Sequence, residues 1–250
     1  MKNNNLFKTI LLSTVIILSS CSKNSDDDVT PVGCTVENTP MSYVFTNDGN
    51  NTVYFGGQSN RLATAKAVYD MLNAGKGSAT AVTSADITAV IDNDNSKLLT
   101  KTAENDPNRT HIIEQLNSIL DGYAAISSTL ADTNIVASAG QAGWKGSYQL
   151  DARGWELDQL YAKMLIGALC LEQNAYDYLT KINIIDENDN RGYDGNDTYY
   201  TKAEHYWDEA FGYTYGMDGD ITVPEISGCN FLGKYLTKHN GIDYSGSNWK

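Results

Sequence analysis

The sequence predicts a mainly α domain, an antiparallel helical bundle entered through a small β-hairpin. Three observations carry this. Several stretches repeat apolar residues at helical spacing. The run "MLIGALCL" is apolar on nearly every side, as a central helix would be. The only convincing strand signal is at the start, where two β-prone runs flank an Asp-Gly turn.

In chain order, that hairpin pairs Tyr43–Thr46 with Thr52–Phe55. "SNRLATAKAVYDMLNAGKG" then puts Leu62, Ala65, Tyr69 and Leu72 on one helical stripe, with Gly75 and Gly77 as stop signals. A short helix begins near Ser84. In "DPNRTHIIEQLNSILDGYAAI", Asp106 is placed to cap and Pro107 to occupy the first helical position, with Ile112, Leu116, Ile119, Leu120 and Tyr123 as the buried stripe. Ser138 to Ser147, rich in Gly and Ser, predicts a loop. The longest helix is expected from Asp151, as its cap, to about Leu179, with Leu150 and Trp155 at hydrophobic-staple spacing. A polar loop, "DENDNRGYDGNDTYY", leads to "TKAEHYWDEAFGY", and a last helical segment follows at "FLGKYLTKHNG".

The first twenty residues have the anatomy of a signal peptide: Lys2 and Lys8, then "TILLSTVIIL", too short to span a bilayer. "LSSC" has lipobox spacing, so residues 1–20 are expected to be removed and Cys21 lipidated. Asp26, Asp27 and Asp28 follow in a stretch with no apolar content, which predicts a solvated tether over residues 21–40 and a helical domain over 41–250. Several acyl chains on one residue give a stable anchor.

The formal charge is −13, and removing Lys2 and Lys8 leaves 16 basic residues against 31 acidic ones. Such a chain repels phosphate backbones and has no basic cluster, so nucleic acid is excluded as an expected partner. Cys170 sits in apolar helix sequence and is expected to pack as a small hydrophobe. Cys34 and Cys229 lie in loop-like sequence where an oxidising environment would permit pairing, although spacing does not establish it.

Chemistry-bearing residues concentrate in "TKAEHYWDEAFGY". Thr201 and Glu204 have capping-box spacing. Ala203, Trp207, Ala210 and Phe211 form the stripe expected to face the core, which leaves His205, Asp208 and Glu209 together on the opposite face. A nitrogen and carboxylates on one face are metal-ligand types. His111 and Glu114 give a second H-x-x-E. Iron, zinc or calcium are the candidate ions. The loop beginning at Asp186 misses the calcium-loop glycine, with Arg191 in its place. No G-x-S-x-G, Walker or Rossmann pattern occurs. The sixteen tyrosines concentrate in the C-terminal half, as binding surfaces or ordinary packing residues do.

"GGQSNRL", "LDQLYAKMLIGALCLEQNAYDYL" and above all "AEHYWDEAFGY" resemble an uncharacterised domain family of Bacteroidota surface lipoproteins marked by an H-x-W-D-E-A-[FY]-G-Y block. The resemblance covers residues 41 to about 240. Similar proteins continue with further helices, so it implies a C-terminally shortened bundle. The acidic run behind Cys21 resembles the surface-export signal of outer-membrane lipoproteins in that phylum. His111 and Glu114 resemble part of the G-x-H-x-x-E motif of imelysin-like proteins, with Arg109 where that motif has Gly. That likeness implies an iron-binding protein or a metal-dependent peptidase.

The expectation is therefore an outer-membrane lipoprotein facing the cell exterior. Its helical domain binds a ligand or an outer-membrane partner and is not an enzyme, with the imelysin-like metal protein as the alternative. Substituting Cys21→Ala should release the chain from the membrane or leave an uncleaved precursor. Unchanged processing and membrane retention, read by fractionation and mass spectrometry, would contradict the lipidation.

Overall fold

Asp48 and Gly49 both adopt left-handed backbone, φ 50° and 80°, the geometry that a two-residue hairpin turn requires. They join strands β1 (Thr46–Asn47) and β2 (Asn50–Asn51), paired Thr46 to Asn51 and Asn47 to Asn50. In this computed structural model the described residues are 42–92, 95, 97–183, 199–217 and 230–236. They belong to one compact unit, Pro40–Lys250. The strands are shorter than the sequence predicts, and the Tyr54 N–H donates to the Asp208 carboxylate instead of across the hairpin.

Helix α1 (Gly56–Gly75) buries Leu62, Ala65, Val68 and Leu72, the predicted stripe with Val68 added and Tyr69 only partly covered. Helix α2 (Ser84–Asp92) starts where Thr83 and Asp86 exchange hydrogen bonds: the Asp86 carboxylate accepts from the Thr83 N–H, and Thr83 Oγ1 accepts from the Asp86 N–H. A short α3 (Leu98–Lys101) precedes α4 (Arg109–Ser127). The predicted start of α4 is corrected: Asn108 is the cap residue. Asp106 instead closes the preceding turn, accepting from the Asn108 N–H at 2.7 Å, with Pro107 inside that turn.

Residues expected to form a loop contain a second hairpin, β3 (Gly143–Lys145) with β4 (Tyr148–Leu150). The long helix begins later than predicted. Asp151 accepts from the N–H groups of Arg153 and Trp155 in a tight turn, and Gly154 at φ 84° is incompatible with a helix there. Trp155 is therefore not a staple; it is half-exposed beneath the Arg153 guanidinium. Helix α5 (Leu157–Leu165) follows, and Lys76 at the end of α1 ties down its start by pairing with Glu156 at 2.8 Å and Asp158 at 2.7 Å.

From Ile166 to Tyr178 the chain continues as a π-helix before α6 (Leu179–Asn183). The Leu179 N–H donates to the Asn174 carbonyl, five residues back. This widened segment is the centre of the domain, with Leu169 and Cys170 fully buried. Burial pushes the Cys170 thiol up to about 12, so it packs as an inert apolar group. Helices α1, α4 and α5 supply most of the core, Leu62, Leu116, Tyr123, Tyr161 and Leu165 among it. No helix among the described residues is long and apolar enough to cross a membrane.

Helix α7 (Lys202–Tyr215) carries the predicted capping box, Glu204 N–H to Thr201 Oγ1 at 3.1 Å and Thr201 N–H to the Glu204 carboxylate at 2.6 Å. Its orientation departs from the expectation at Trp207 and Asp208, while Ala210 is buried as expected and Phe211 packs on Tyr43 and Phe55. Trp207 is 55% exposed, while Asp208, Gly212 and Tyr213 are buried. The reason is Gly212. A Cβ there would lie 2.7 Å from Phe55 Cβ and 2.8 Å from Gln58 Cβ, so α1 and α7 approach through a site that no side chain can share. The contact turns the 205–208–209–212 face inward. Helix α8 (Phe231–Leu236) packs Phe231 against the core.

Gly212→Ala should therefore destabilise the fold by roughly 1–3 kcal/mol through overpacking. Its helix propensity alone would favour Ala by about 1 kcal/mol. Trp207→Ala should cost less than about 1 kcal/mol, as exposed substitutions do. Urea unfolding of the two variants checks both; a neutral or stabilising Gly212→Ala would contradict the close approach.

Candidate functional site

The three residues singled out on α7 separate into two groups. Asp208 accepts from the Tyr43 hydroxyl at 2.6 Å and from the Tyr54 N–H at 2.8 Å. Tyr43 also stacks on Phe211 with ring centroids 3.6 Å apart. Asp208 thus fastens the segment ahead of α1 across α7. It also places a carboxylate beside the start of α1, which has no side-chain cap and no acid in its first turn. Burial pushes its carboxyl up to about 6, against the pull of the Tyr43 and Tyr54 hydrogen bonds.

His205 and Glu209 lie one turn apart, Nε2 to Oε2 at 3.7 Å. The other Glu209 oxygen accepts from Gln58 Nε2 at 2.8 Å. The imidazole stacks against Tyr54 and Tyr200, and its Nδ1 is shielded from water with no hydrogen-bond partner among the described residues. Deeper in the same interface the buried Arg61 donates to the Tyr213 hydroxyl at 3.0 Å. His111 and Glu114 face solvent on α4, with Nδ1 and Oε2 4.0 Å apart. Among the described residues no group of three or more His, Cys, Asp or Glu side chains is placed to hold a metal ion. Cys21, Cys34, Cys229 and the acidic loop from Asp186 lie outside the described residues.

A different region offers space. A groove of about 720 Å³ runs along the π-helical segment where the chain between α3 and α4 crosses it. Its apolar lining includes Ala103, Pro107, Ile112, Met164, Leu171 and Tyr176. Leu171 is 47% and Tyr176 76% exposed. The crossing chain is pinned by the Ala103 N–H, which donates to the Ala168 carbonyl at 2.6 Å, and by the Asn105 N–H, which donates to Glu172 at 2.8 Å. Ala103 holds φ 52°, a left-handed conformation that costs free energy in a non-glycine residue. Gly167 opens onto free space: a Cβ there would touch nothing within 4 Å.

None of these groove residues was a candidate from the sequence. Only the lone Gly167 inside an apolar helical run gave a signal there, since an interior Gly often has a packing or functional reason.

A mainly helical domain with an N-terminal hairpin and an apolar groove along its central helix is the class that this architecture defines. The chain belongs to the family described as Domain of unknown function (DUF4856), matched over residues 40–247. Neither the curated proteins nor the solved structures give a match.

The raised Asp208 carboxyl has a consequence for stability. In the unfolded chain it titrates near ~3.9, as a free Asp does. In the folded chain it holds its proton up to about 6. Its contribution is complete below the unfolded value and lost as pH rises through about 6. Asp208→Asn should flatten this part of the stability profile between roughly pH 4 and 7, measured by thermal melts. An unchanged profile in the variant would contradict the assignment.

Proposed function

We propose that this chain is a lipid-anchored outer-membrane lipoprotein whose helical domain binds a small, largely apolar ligand in the groove beside the π-helical segment. The groove is the observation that carries the binding role. Its size falls within the ~300–1,000 Å³ of small-molecule sites, and apolar side chains make up most of its wall. A π-helical segment and a strained backbone position both border it, and such irregularities gather at functional sites. The anchor rests on "LSSC", the surface address on Asp26 to Asp28, and the Bacteroidota source on the resemblance of the H-x-W-D-E-A-F-G-Y block. An outer-membrane protein is the further partner that this location supplies.

The test is calorimetric titration of the full chain in zwitterionic nanodiscs with octanol, using empty nanodiscs as the blank. Saturable binding is expected. Gly167→Leu should remove it without lowering the melting temperature, because the added side chain fills open groove space. Octanol binding that survives Gly167→Leu would contradict the reading.

The pairing of His205 with Glu209 supports a second reading, the imelysin-like binding of iron, zinc or calcium. It is the weaker one, since Asp208 is engaged by Tyr43 and Tyr54, and His111 and Glu114 sit apart on α4. A metal-dependent rise in melting temperature that His205→Ala abolishes would select it.

A further inference from the structure

The polar part of the groove wall carries two carboxylates that no cation among the described residues pairs with. Glu172 is 9% exposed and lines the groove. Its two oxygens accept from the Asn105 N–H and from Gln173 Nε2, both at 2.8 Å, and both donors are neutral. Asp106 also lines the groove, and one of its oxygens accepts only a backbone N–H, that of Asn108.

The nearby cations are engaged elsewhere. Arg109 directs its guanidinium to the carbonyls of Leu99 and Thr100, at 2.9 and 3.3 Å. Lys101 pairs with Glu104 at 2.6 Å. Among the described residues neither Glu172 nor Asp106 has an ion-pair partner. A carboxylate held this far from water costs free energy unless a positive charge reaches it. The groove thus joins an apolar wall to two carboxylates lacking a counter-charge, with the exposed Tyr176 ring available to face a cation.

We propose that the groove takes a small cationic amphiphile of the alkyl- or arylamine class. Its apolar body lies against Ile112, Met164 and Leu171, and its ammonium sits beside Glu172 and Asp106. This rests on the groove-binding reading and adds the charge of the ligand to it. A neutral amphiphile of the same length meets the same wall without the charge pair, and a carboxylate meets repulsion.

The experiment compares octylamine, octanol and octanoate on the full chain in zwitterionic nanodiscs, with empty nanodiscs and Gly167→Leu nanodiscs as blanks. Octylamine should bind about tenfold or more tighter than octanol, the scale of one favourable charge interaction, with octanoate weakest. Glu172→Gln keeps an acceptor for the Asn105 N–H and should bring octylamine close to octanol. Asp106→Asn, nearer the solvent, should reduce the preference in the same direction, which guards against misfolding of the Glu172 variant. Octanol binding as tightly as octylamine would overturn the charge inference and leave the groove reading intact. Octylamine preference persisting in both carboxylate variants would overturn it as well. Failure of all three ligands to bind would overturn the groove reading itself.

Discussion

The contact between α1 and α7 at Gly212 sets the rest of the arrangement. Two helices come close enough there that a single methyl would collide with Phe55 and Gln58. That proximity brings Gln58 within reach of Glu209 and Arg61 within reach of Tyr213. It also puts Asp208 beside the chain entering α1, where Tyr43 and Tyr54 close over it. The face of α7 that looks chemical is thus an interface lined with hydrogen bonds. Its polar groups are satisfied mostly by α1 and by the segment ahead of it, as buried polar groups must be.

The other half of the domain turns on the π-helical segment. Bonding five residues back widens the backbone and shifts each following side chain around the axis. Leu169 and Cys170 face the core, whereas Leu171 and Tyr176 reach the groove. Glu172 accepts from the Asn105 N–H of the crossing chain, and Gln173 Nε2 donates to the Lys101 carbonyl at the end of α3. A regular α-helix through the same residues would present a different set to the groove. The groove and the core are therefore two sides of one irregular element.

Much of this was legible from residue types alone. The Asp-Gly turn, the α1 stripe, the α4 stripe from Leu116 to Tyr123 and the Thr201–Glu204 capping box all depend on local chemistry and are present, although Tyr69 is only partly covered and Ile112 lines the groove. What escaped depends on tertiary context. Hydrophobicity normally decides a helix face and points Trp207 inward, but Gly212 marks the face where another backbone must fit. Gly154, at a left-handed φ, ends the apparent run from Asp151 before a helix can form, and the glycine itself is the sign in the sequence. The π-helical bonding leaves no mark in apolar periodicity when the run is apolar all round. The groove joins residues near 105 to residues near 170, which no single window of sequence places together.

The central claim is that the His205–Asp208–Glu209 face of α7 is a packing interface against α1. A double-mutant cycle on Gln58→Ala and Glu209→Ala, read by urea unfolding, tests it most directly. The 2.8 Å hydrogen bond predicts a coupling of about 1 kcal/mol or more between the two substitutions. Additive costs, with a coupling within about 0.3 kcal/mol of zero, would show that the two side chains do not meet and would contradict the account.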